Sequence, residues 1–325
     1  MSDPFVRSDV RQFLDMLEKM PTPRMHEVDP ATARAQFDAM KDLADLPVRD
    51  CAVDRALEIP GDQEPIPARL FDCRDDREPG PALVFYHGGG FVIGSVATHV
   101  GFCAELSHAL DLPVISVDYR LAPEHCWPAA PDDAEAAARW IASSPDALGR
   151  NVTGLVLAGD SAGGTLTVVT AMALRDRPAA VPVIIAQFPI YPAVDLQTEY
   201  RSQQLFGEGF LLTNDGMKWF GDAYRADIQH MRASPLQGEM HGLPPALVLT
   251  AGLDPLRDQG RAYAGRLIEA GVPVIFREAV GNIHGFITLR RAIPSSVGDV
   301  AGALVALRGL IREAEAQRVM AQAAE

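Results

Sequence analysis

The sequence predicts an open, mostly parallel α/β sheet with helices on both faces, and three observations predict it. Short, continuously apolar runs recur at Ala82-Leu83-Val84-Phe85, Val114-Ile115-Ser116-Val117, Leu155-Val156-Leu157, Val183-Ile184-Ile185, Leu247-Val248-Leu249 and Val274-Ile275-Phe276. Strands buried on both faces have this texture, whereas half-exposed strands alternate. Segments with helical spacing lie between most of these runs, at about residues 99–110, 131–142, 162–175 and 257–270, and such alternation favours a parallel sheet. The composition, 48% hydrophobic and 22% charged over 325 residues, can bury one sizeable core. One domain with a small accessory element is therefore expected.

Taken in order, the chain opens with two Asp-Pro pairs, Asp3-Pro4 and Asp29-Pro30, each a capping residue before a proline at the first helical position. Behind the first, Val6, Val10, Phe13, Leu17 and Met20 share a face; behind the second, Ala33, Phe37, Met40 and Ala44 do. Residues 1–50 are expected to form two amphipathic helices, either packed as ordinary core helices or capping a ligand site. Residues 51–59 and 66–73 read as strands of a hairpin turning at Gly61-Asp62, and the sheet and its helices follow. The rhythm breaks at about residues 195–244, which hold Tyr200, Phe206, Phe210, Leu211, Leu212, Trp219, Phe220 and Tyr224. A long insertion between core strands commonly covers a ligand. The main domain is thus expected over residues 51–325, with a second cap segment inserted in it.

A formal net charge of −14 repels phosphate backbones and anionic headgroups, so neither nucleic acid nor a membrane surface is an expected partner. Cys51, Cys73, Cys103 and Cys126 lie far apart without CxxC spacing, which points to reduced thiols and to no metal site. The polar start lacks a basic segment and an apolar core, and the apolar stretch at residues 181–194 is short and holds three prolines. A cytoplasmic location is the expectation. No cofactor motif is present: the triple glycine at residues 88–90 lacks both the GxxxxGK[ST] lysine and the GxGxxG spacing.

Chemistry enters at Gly159-Asp160-Ser161-Ala162-Gly163-Gly164, directly after the run Leu155-Val156-Leu157 and directly before a helix. This is G-x-S-x-G in the strand, sharp turn and helix of a nucleophile elbow, the device of the α/β-hydrolase fold. The turn forces Ser161 into a strained backbone that only small neighbours tolerate, and the helix N-terminus favours developing negative charge. Alone, the pattern is equally a glycine-rich helix start. His87-Gly88-Gly89-Gly90-Phe91 answers that objection, because it follows the strand ending at Tyr86, where this fold places its oxyanion hole. Consecutive glycines let backbone N–H groups approach a tetrahedral intermediate closely.

Of the eight histidines, His284 lies in Gly281-Asn282-Ile283-His284-Gly285-Phe286, a glycine-flanked loop after the last strand, third in the chain order Ser, acid, His. His26, His108, His230 and His241 read as surface or packing residues, His99 as the start of a helix and His125 as part of a loop. For the acid, Gly252-Leu253-Asp254-Pro255-Leu256-Arg257-Asp258 offers two carboxylates. Asp254 comes first, and Pro255 holds it out of helical geometry. Asp258 falls a turn later, where it would meet free N–H groups of the following helix.

Four stretches now resemble the hormone-sensitive-lipase family of bacterial esterases, in the subgroup whose elbow reads GDSAGG: residues 87–91, Asp118-Tyr119-Arg120-Leu121-Ala122-Pro123-Glu124-His125, residues 159–164, and residues 254–258 with His284-Gly285-Phe286. The resemblance implies metal-free hydrolysis of short-to-medium acyl esters beneath a helical cap, with a small-molecule ester as the partner and a homodimer left open. It implies Ser161, Asp254 and His284 as the catalytic residues and the backbones of Gly89, Gly90 and Ala162 as oxyanion donors. His87, Gly88 and Asp160 would support them, and the loop at residues 119–125 would order the oxyanion loop. Phe91, Phe206, Phe210, Leu211 and Ile283 are expected at the substrate pocket. Cys126-Trp127 departs from the pattern without touching these residues. An amidase or peptidase would use the same machinery, and a hormone receptor on this fold would lack the histidine.

Overall fold

The computed structural model describes residues 4–62, 64–179 and 184–322. Among these, one eight-stranded sheet runs in the order β1-β2-β4-β3-β5-β6-β7-β8, made of β1 Val53–Ile59, β2 Ile66–Asp72, β3 Gly80–Tyr86, β4 Val114–Val117, β5 Val152–Asp160, β6 Ile184–Ile190, β7 Ala246–Leu253 and β8 Val274–Ile283. The first two strands form the expected antiparallel hairpin, β2 also runs antiparallel to β4, and every later pairing is parallel. Asp3 and Val183, named above as a cap and a strand residue, lie outside the described residues.

The runs in β3, β4, β5 and β7 are buried on both faces, as their texture predicts, whereas Val274-Ile275-Phe276 lies on the edge strand β8, where Val274 and Ile275 are half-buried and Phe276 is exposed. Leu83 and Phe85 of β3 join one core with Phe102 and Cys103 of α3 (Val100–Leu110) and Leu304 and Leu307 of α9 (Ser296–Gln322). Val84 and Tyr86 join the opposite core with Ala134 and Ala138 of α4 (Ala129–Ala142), Leu166 of α5 (Ala162–Asp176) and Tyr263 of α8 (Arg257–Glu269). No described helix is long and apolar enough to cross a membrane.

The two N-terminal helices are present, with one correction. α2 spans Pro30–Ala44, capped as expected by the Asp29 side chain, which accepts from Thr32 N–H. α1 spans Ser8–Lys19 and has no Asp3-Pro4 start; its capping residue is Arg7, in extended conformation. Tertiary contacts decide this. Arg7 N–H bonds to the Gly281 carbonyl, and its guanidinium grips Asp299 at 2.6 and 3.0 Å, drawing residues 4–7 along the sheet edge before a helix can form. Val10, Phe13 and Leu14 then pack with Phe206, Leu253, Ile283, Leu289 and Ile293 at the C-terminal ends of β7 and β8. The insertion folds as α6 Arg201–Phe206, α7 Asn214–Tyr224 and connecting loops.

Candidate active site

Each side chain of the site leaves the sheet where a parallel strand ends. Ser161 follows β5 directly, with φ 54° and ψ −117°, a region that L-residues rarely adopt. Its N–H bonds to Ile190 O at 2.8 Å, pinning the turn to the neighbouring strand. The flanking glycines are steric necessities. A Cβ at Gly163 would fall 1.9 Å from Tyr86 O, and one at Gly159 would fall 2.3 Å from Gly163 O.

Asp254 follows β7 and is fully buried. One carboxylate oxygen accepts Leu256 N–H at 2.8 Å, which fixes its rotamer; the other accepts His284 Nδ1–H at 2.7 Å. His284 follows β8, which continues seven residues beyond the expected end at Phe276. Its Nε2 lies 2.9 Å from Ser161 Oγ. The structure therefore brings the three residues into one hydrogen-bonded line. Asp258 stands apart: it accepts Ser202 N–H at 3.0 Å and pairs with Arg257 and Arg261. Its expected partner, the start of its own helix, is replaced by the start of α6.

The glycine loop turns beside the elbow. Gly89 has φ 123° and its carbonyl accepts from Val92 and Ile93, while Gly90 has φ 59°. A Cβ at Gly89 would fall 2.1 Å from Ile93 O. Gly88 N–H donates to Asp160 Oδ1 at 2.7 Å, so the residue before the serine holds the loop that faces it. His87 is buried, donates from Nδ1 to Gly88 O at 2.8 Å and stacks on Tyr119 at 4.3 Å. The Tyr119 hydroxyl donates to His87 O at 2.6 Å, which gives the 119–125 loop its ordering contact. His125 instead points to Glu64 near the surface.

Burial alone would raise the Asp160 carboxyl, but the charge and hydrogen bond of His99 bring it below its ordinary value. His99 Nε2 lies 3.2 Å from Asp160 Oδ1, and its Nδ1 meets Thr98 Oγ1 at 2.9 Å. Tyr191, also buried, donates to Asp160 Oδ2 at 3.3 Å and packs its ring 4.5 Å from that of His284. Sequence reasoning read His99 as a helix start and did not single out Tyr191. The position of Tyr191 immediately after a buried run was the available signal.

The expected pocket residues divide. Phe91 is buried and stacks on Tyr224 of α7 at 4.0 Å, and Phe206 and Ile283 are buried beneath α1. Phe210 meets Phe206 edge-on at 5.5 Å, and Leu211 is 44% exposed, near Gly285. Phe220, not singled out as a pocket residue, covers the glycine loop: a Cβ at Gly90 would fall 2.4 Å from its ring. Among the described residues no cluster of His, Cys, Asp or Glu is arranged to hold a metal ion.

A family described as alpha/beta hydrolase fold matches residues 83–288. The chain is 42% identical over 245 residues to the carboxylic ester hydrolase LipN of Mycobacterium tuberculosis, covering 72% of this chain and 64% of that protein. It is 39% identical over 276 residues to an ethyl acetate hydrolase of Pseudomonas putida, covering 82% and 85%. Among solved structures, an ester hydrolase from the metagenome of Lake Arreo, complexed with a bipyridine phosphonate derivative, superposes with a TM-score of 0.88 at 37% identity, covering 94% and 98%.

Proposed function

Because the chain belongs to the alpha/beta hydrolase fold family, in its hormone-sensitive-lipase-like branch, we propose that it is a serine carboxylesterase acting on short-to-medium acyl esters. The observation that carries this reading is the line Asp254, His284, Ser161, with contacts of 2.7 and 2.9 Å. The names of the similar proteins, carboxylic ester hydrolase and ethyl acetate hydrolase, support the ester as substrate class.

In the proposed cycle Ser161 Oγ attacks the ester carbonyl carbon while His284 Nε2 takes its proton. Asp254 keeps the other ring proton on Nδ1 and stabilises the imidazolium that forms. The N–H groups of Gly89, Gly90 and Ala162 receive the charge on the carbonyl oxygen, with Ala162 at the positive end of α5. The C–O bond of the ester breaks as His284 returns the proton to the leaving alcohol. Water then repeats the sequence on the acyl-serine and releases the carboxylic acid.

We assign a covering role to α1, α2 and the 195–244 segment. Phe220 over Gly90 and Leu211 beside Gly285 place apolar side chains of this segment against the loops of the site, which supports that role. The test is a panel of p-nitrophenyl esters, from acetate to palmitate, beside matched anilides. Turnover of the short esters above the long ones, with anilides far slower, is expected. Faster anilides would make it an amidase, and saturable binding without turnover of either would make it a ligand-binding protein. Because the base accepts a proton only when neutral, the rate should also fall on the acid side. A flat profile in a stable enzyme would count against His284.

A further inference from the structure

Helix α2 is tied into the molecule at two places, and each tie ends on a loop that carries a residue of the site. Near its N-terminus, Arg34 spreads one guanidinium over three groups. Nε donates to Val92 O at 2.8 Å, Nη2 donates to Ala122 O at 2.8 Å, and the fork grips Glu124 at 2.9 and 2.6 Å. Val92 closes the turn that begins at Gly89, through its N–H to Gly89 O at 3.0 Å, and Ala122 N–H holds the same turn by Phe91 O at 2.8 Å. Arg34 thus clamps the glycine loop to the loop behind it.

At the other end, Asp45, just past α2, meets Arg290 in a two-pronged ion pair at 2.7 and 2.7 Å, both residues buried. Ala44 O accepts from Arg291 and Ala292 N–H, each at 3.0 Å. Arg290 stands six residues after His284. A Cβ at Gly101 would fall 2.7 Å from Asp45 Oδ2, so α3 leaves its surface bare there for the pair.

We propose that α2 is a brace between the glycine loop and the histidine loop, and that Arg34 is a positioning residue that holds Gly89 and Gly90 where their N–H groups meet the oxyanion. The catalytic consequence rests on the esterase reading; the ordering of the loop does not. Arginine suits this place because its rigid fork reaches two carbonyls and a carboxylate at once, which lysine cannot. The Glu124 arm matters least, since Glu124 is 54% exposed. The two carbonyl arms set the loop.

The experiment compares full-length wild type, Arg34→Met, Arg34→Lys, Glu124→Gln and Ser161→Ala by hydrogen exchange over residues 88–93 and by kcat and KM on a p-nitrophenyl short-chain ester. Arg34→Met should speed exchange of that segment by about tenfold or more. It should lower kcat roughly 10- to 100-fold while KM moves by less than about threefold, as expected of misplaced oxyanion donors. Arg34→Lys should fall between, and Glu124→Gln should stay within about threefold of wild type. A folded Arg34→Met protein with unchanged exchange overturns the brace, and faster exchange with unchanged kcat overturns the positioning role. Should the methionine variant not fold, the lysine variant is read by the same two criteria. The esterase reading is judged on wild type and Ser161→Ala alone: an inactive wild type sinks that reading, and loop exchange still decides the brace.

Discussion

Replacing Ser161 by alanine removes a single hydroxyl from a turn whose strain lies in the backbone, at φ 54°. The variant should fold and lose activity by something on the order of 10⁶, since removing the nucleophile of such a triad disables the whole unit. A folded protein keeping a tenth of its rate would refute the assignment. The two aspartates separate in the same way. Asp254→Asn should lower kcat by roughly 10⁴, because the amide favours the wrong tautomer of His284. Asp258→Asn should leave kcat near wild type and cost about 1 kcal/mol, as Ser202 N–H and two arginines lose a charged partner. Measuring kcat and Tm for both variants decides it, and a dead Asp258→Asn beside an active Asp254→Asn would reverse the roles. Asp254 was legible because Pro255 marks the turn. The actual partner of Asp258 was not, because Ser202 lies 56 positions away in an insertion with no spacing signal. His99 escaped notice for a similar reason: nothing local separates a histidine that opens a helix from one that faces a buried carboxylate.

Elements carry either stability or function according to what they pack against. Leu307 of α9 is fully buried in the core between this helix and the sheet. Leu307→Ala should cost about 2–5 kcal/mol and leave kcat intact in the folded fraction. Phe13 of α1 packs on Leu253 and Ile283, the residues that directly precede Asp254 and His284. Phe13→Ala should cost about 3–5 kcal/mol and also lower kcat/KM, unequally across acyl lengths. Identical kinetics to wild type would remove α1 from the site. Strand existence was plain in the runs Val84, Leu157 and Val248, since burial on both faces leaves no polar alternation to misread. Strand ends were not, as the chain from Arg277 to Ile283 shows: exposed Arg277 and Val280 and half-buried Glu278 hide a strand that edges the sheet. α9 was visible in principle, in the spacing of Val300, Ala303, Leu304, Leu307, Leu310 and Ile311.

For the whole molecule, the buried polar cluster behind the elbow sets how stability depends on acidity. Burial first, and the neighbouring His99 second, push the His87 imidazole down to about 4. The unfolded imidazole titrates near about 6.5, so between there and about 4 the unfolded chain binds the extra proton, and stability falls as pH falls through that window. Asp160 acts lower. Its folded value is depressed from 3.8, so its contribution is complete above that pH and is lost as pH drops below it. Melting temperatures from pH 7 to 3 should therefore decline first over the His87 window and again below about 4. A His87→Gln variant should lack the first decline, and an unchanged slope in it would rule His87 out as the cause.

The ion pairs that tie Arg7 and the end of α2 into the molecule also join residues far apart in sequence: Arg7 meets Asp299 and Asp45 meets Arg290, 292 and 245 positions apart. A growing polypeptide leaving the ribosome can assemble β1 to β7 long before these contacts exist. His284 and the second tie of α2, to Arg290, are added only once residues 284–290 have been made, so the Asp254, His284, Ser161 line completes after the strands up to β7 are available. Refolding from denaturant should repeat this order, because contacts across such sequence distances close late. Far-UV ellipticity should return ahead of ester turnover, and simultaneous recovery of the two signals would mean that the terminal contacts form with the sheet rather than after it.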